Sequence, residues 1–99
     1  MVPRTRVLIA EFGPDDRAAA HLARTLRDAG MEIVFAGGSQ TLAQIAATAV
    51  QEDAAAVVMF GAGEDALTLP GVTIFASAAS AESIVSWAET SDRDPGSGR

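Results

Sequence analysis

Two adjoining stretches, Arg6-Val7-Leu8-Ile9-Ala10 and Glu11-Phe12-Gly13-Pro14-Asp15-Asp16-Arg17, decide the fold. A continuous apolar run enters a turn built on Gly-Pro, and a helical pattern leaves it. A run of this kind reads as a strand, here about Thr5 to Ala10. The helix that follows starts near Asp15, where two carboxylates suit the positive end of its dipole. Its apolar stripe is Ala19, Leu22, Ala23 and Leu26. It ends at Ala29, with Gly30 supplying the left-handed residue after the last turn.

The same alternation continues along the chain. Strand two is Met31 to Phe35. The loop Ala36 to Gln40 leads to a capping box at Thr41-Leu42-Ala43-Gln44. The second helix carries Leu42, Ile45, Ala46, Ala49 and Val50 at i, i+3, i+4, i+7 and i+8. Strand three is Ala55 to Phe60, strand four Val72 to Ala76, and the loop Gly61 to Gly71 separates them. The last helix runs from about Ser80 to Glu89, with Ala81, Ile84, Val85 and Ala88 inward. Alternating strands and helices imply a parallel α/β sheet with right-handed crossovers. The expected strand order is 2-1-3-4, with three helices. A ligand would sit at the carboxyl ends of strands one and three, where the order reverses. Residues 1–90 form one domain on this reading, and 91–99 a disordered polar tail.

Composition narrows the chemistry. The 99 residues fit a single domain. The sequence has no cysteine, tyrosine, lysine or asparagine, and its one histidine is His21. Disulfides, thiolate metal sites, Schiff-base chemistry and a phosphate-loop lysine are excluded. A net charge of −6 argues against nucleic acid and anionic membranes as partners. No apolar run approaches a membrane span and no signal-peptide pattern opens the chain, so a cytoplasmic protein is expected.

Several segments together resemble the cobalamin-binding domain of methylmalonyl-CoA mutase and related B12 proteins. They are the strand Arg6–Ala10 before Phe12-Gly13, the pair Asp16-Arg17, and Leu26 to Ile33. Thr41 to Asp53 with the strand after it, and Gly71 to Ser80, complete the likeness, which spans roughly Arg4 to Glu89. The resemblance implies a flavodoxin-like or Rossmann-like sheet. It also implies a cobalamin-binding surface at Gly13, Asp15, Asp16 and Arg17, at Gly61, Ala62 and Gly63, and at Ser77 and Ser80. The family's motif Asp-x-His-x-x-Gly is broken here. Asp15 falls where the cobalt-ligating histidine belongs and Ala18 where the glycine belongs. A carboxylate is a poor substitute for neutral imidazole on cobalt. One strand and most of two helices of the family's domain are absent.

Other candidate chemistry is thin. His21 lies with Arg17, Arg24 and Asp28 on the outer face of helix one and reads as solvated. Glu11, Asp15, Asp16, Glu64 and Asp65 converge at the switch point, where oxygen ligands suit Mg²⁺ or Ca²⁺. They read first as helix capping and loop charge. Glu11 or Asp15 as a general base rests on position alone. Gly37-Gly38 and Gly61-Ala62-Gly63 read as turns, Ser80 as a helix N-cap, and Trp87 as core or edge packing.

Strands three and four are apolar on both faces, which requires cover on both. Helix one and the last helix should share one face, leaving helix two alone on the other. The poorly covered face is therefore expected to meet a protein partner or a second copy. The first functional expectation is a non-catalytic accessory or interaction subunit of a B12-dependent or acyl-CoA mutase-type system. The alternatives are a genuine corrinoid binder that keeps the cofactor's own base on cobalt, and a carboxylate metal site.

Overall fold

The computed structural model describes residues 5–11, 17–36, 41–61, 67–76 and 79–93. Its elements run β1 (Arg6–Glu11), α1 (Arg17–Asp28), β2 (Glu32–Ala36), α2 (Leu42–Gln51), β3 (Ala56–Phe60), β4 (Thr73–Ala76) and α3 (Ala81–Arg93). The four strands form one sheet in the order β2-β1-β3-β4, and every pair is parallel. This is the flavodoxin-like α/β arrangement expected from the alternation.

Strand alternation sorts the core into two layers. Val7 and Ile9 of β1, with Ala56, Val58 and Phe60 of β3, meet Ala19, Leu22, Ala23 and Leu26 of α1 and Ile84 and Ala88 of α3. The intervening Leu8, Ala10, Val57 and Met59 meet Ile45 and Ala49 of α2 on the opposite face. Helices α1 and α3 thus share one face, as the crossover rule requires. All five residues of β3 are buried. Each large apolar side chain so enclosed contributes about 1.5–3 kcal/mol, which makes the β1–β3 centre the main source of stability.

Cover on the α2 side is more complete than the sequence suggests. Leu67, Leu69 and Val72, which precede β4 and flank the turn at Pro70-Gly71, pack against Leu8 and its neighbours. These few residues do part of the work of a helix. What remains half-exposed is β4 itself. Thr73 is exposed and Ile74, Phe75 and Ala76 are only partly buried.

Helix α2 departs from its expected stripe. Only Ile45 and Ala49 are buried, while Leu42 is 41% and Val50 71% exposed. With its contacts on Ile45 and Ala49, the helix touches the sheet along a single line. Val50 is turned about 100° from Ala49 and falls outside it. Helix α3 also runs past Glu89 to Arg93, so three residues assigned to the tail are helical. No glycine or proline occurs within it. The residues after Arg93 lie outside the described part.

Local signals fix the element ends. At the end of α1, Met31 N–H donates to Leu26 O at 3.1 Å and Gly30 N–H to Arg27 O at 2.9 Å. Gly30 holds φ 100°. This double bond is a Schellman cap, and Met31 and Leu26 share the core cluster beside it. The expected capping box on α2 is present: Gln44 N–H donates to Thr41 Oγ1 and Thr41 N–H to Gln44 Oε1. The end of α2 repeats the Schellman pattern with Asp53 in the left-handed position, φ 55°. A side chain there is strained, so Asp53→Gly should raise stability by about 0.5–1 kcal/mol. A shift of the urea midpoint to higher concentration at unchanged slope is the expected readout.

Arg6 ties together the amino-terminal end of the sheet. Its Nε and Nη2 donate to Glu32 Oε1 at 3.3 and 3.1 Å, and its Nη1 to the Glu52 carbonyl at 2.6 Å. The ion pair with Glu32 is more than a third exposed and contributes little in water. The charged bond to the carbonyl joins β1 to the end of α2 and is worth more. Arg6→Ala should therefore cost about 1–2 kcal/mol in chemical denaturation. Most of that loss should persist in 1 M salt, which screens only the ion pair.

Candidate functional site

The reversal of strand order places the carboxyl ends of β1 and β3 side by side, with Glu11 in register with Phe60. Both residues follow the parity of Val7 and Ile9 and face the α1/α3 layer. Glu11 is 1% exposed, the one buried charged residue among those described. Sequence reasoning grouped it with solvated loop acids. Its place directly after the continuous apolar run Val7–Ala10 was the signal that it would be enclosed.

Beside this point a cleft of about 270 Å³ opens between α1 and the start of α3. Ala18, His21, Leu22 and Thr25 line it from α1, Phe60 from the end of β3, and Ala79 and Ala81 from the α3 entry. The α3 entry is held by Ser80, whose Oγ accepts from Ser83 N–H at 3.1 Å and lies 2.9 Å from Ser83 Oγ. The N-cap role expected for Ser80 is thus present. Helix α1 presents His21 and Thr25 to the cleft one turn apart, and Thr25 Oγ1 donates to the His21 carbonyl at 3.0 Å. His21 is exposed, as expected, yet it stands on a cavity rim rather than on open surface.

Of the site residues expected from sequence, three fall within the described part. Arg17 opens α1 and is exposed. Gly61 follows Phe60 with φ 94°, a left-handed conformation that favours glycine. Ser80 caps α3. Gly13, Asp15, Asp16, Ala62, Gly63 and Ser77 lie outside the described residues, as do Glu64 and Asp65. Among the described residues, no three metal-ligating side chains come together.

The cleft is lined mostly by small side chains with Leu22 and Phe60, and His21 and Thr25 are its polar side chains. It suits a flat, weakly polar group. It offers no acid–base pair and no nucleophile activated by a neighbouring base. No imidazole occurs in the turn after β1, where a cobalt ligand would be needed. A cleft of about 270 Å³ is too small to enclose a corrin ring, and the turn supplies no histidine to a metal.

No protein-family model matches the sequence. A curated relative does. Part of the chain is similar to the 2-hydroxyisobutanoyl-CoA mutase small subunit of Aquincola tertiaricarbonis. Identity is 46% over 50 residues, which cover 48% of this chain and 37% of that subunit. The chain therefore matches well under half the length of this relative. A likeness to a mutase subunit agrees with the mutase-type resemblance read from the sequence. No helix among the described residues is long and apolar enough to cross a membrane.

Proposed function

We propose that this chain is a cobalamin-domain-like module of an acyl-CoA mutase-type system. It acts in association with a larger catalytic chain and has no turnover alone. The observation that carries this reading is the 46% identity to a mutase small subunit, on a chain with the expected 2-1-3-4 sheet. At the switch point the described residues include one buried carboxylate, Glu11. The test is to mix the chain with the large mutase subunit of the same organism and follow complex formation by size-exclusion chromatography. Co-elution supports the reading, and separate elution at high concentration counts against it.

A second reading, genuine corrinoid binding with the cofactor's own base on cobalt, is favoured by the cleft. Phe60, Leu22, Ala79 and Ala81 would border the nucleotide tail, and Gly61 and Ser80 the corrinoid above it. Bound cobalamin would supply radical rearrangement chemistry. The chain's own side chains would only seat and shield it. Titration with hydroxo-, methyl- and adenosylcobalamin, followed by visible spectrum and desalting, separates the readings. Should cobalamin be retained, Ala79→Trp should weaken it at least tenfold, because an indole there closes the cleft mouth. No retention at tens of micromolar removes the corrinoid reading and leaves the association reading intact.

A further inference from the structure

We draw no further inference here: the strongest candidate, the cleft lined by His21, Thr25 and Phe60 between α1 and the entry to α3, belongs to the site already described.

Discussion

Leu8→Ala should lower the stability of this chain by about 3–4 kcal/mol and its melting temperature by on the order of 15 °C. Leu8 is fully buried in β1, in register with Val34 of β2 and Val57 of β3. Its side chain fills the layer under α2, whose inward contacts are Ile45 and Ala49. An alanine-rich helix has few long side chains that could swing into the vacated space. The cavity should therefore persist, and its cost adds to the lost transfer energy. For a chain of this length the loss is a large share of the whole stability. Leu8→Met keeps the volume and should cost under about 1.5 kcal/mol. Urea titrations of both variants check the pair. A Leu8→Ala cost below 1 kcal/mol would mean that the α2 layer is not closely packed.

Phe60→Ala should cost about 3 kcal/mol and remove the floor of the α1/α3 cleft. Phe60 is 5% exposed and lies in the same cluster as Leu22 and Ile84. It also lines the 270 Å³ cleft, so it borders both. The space left by truncation should therefore open to the cleft, and water relieves part of the penalty. The expected cost is for this reason at the lower end of aromatic truncations. Phe60→Leu should restore most of the loss. The same urea experiment reads it, and an effect under 1 kcal/mol would place the ring outside the floor.

The fold was legible because its signals are local. Leu22 and Leu26 on α1, the Thr41–Gln44 box and the continuous run in β3 each report on neighbours within a few positions. The strand order and the shared face of α1 and α3 then followed from crossover handedness. What was not legible depends on partners distant in the chain. The cleft takes residues from 18–25, 60 and 79–81, and no spacing within one element announces it. Glu11 looked like a loop acid until β1 was seen to extend through it. Val50 fits a helical stripe by period alone, but its exposure is set by how narrowly α2 touches the sheet. Leu67 and Leu69 carry no periodic signal, and their packing under the α2 layer is set by the chain's path into β4.

The proposed role of this chain is association with a larger mutase chain rather than chemistry of its own. Its most direct test is sedimentation of the chain with the large acyl-CoA mutase subunit of the same organism, with acyl-CoA turnover measured for each alone and for the mixture. The expected result is a stoichiometric complex formed at low micromolar concentration, with no turnover by this chain alone. Independent sedimentation of the two proteins at about 100 µM, a loss of roughly 3 kcal/mol or more relative to micromolar binding, would contradict it. So would rearrangement of an acyl-CoA by this chain by itself.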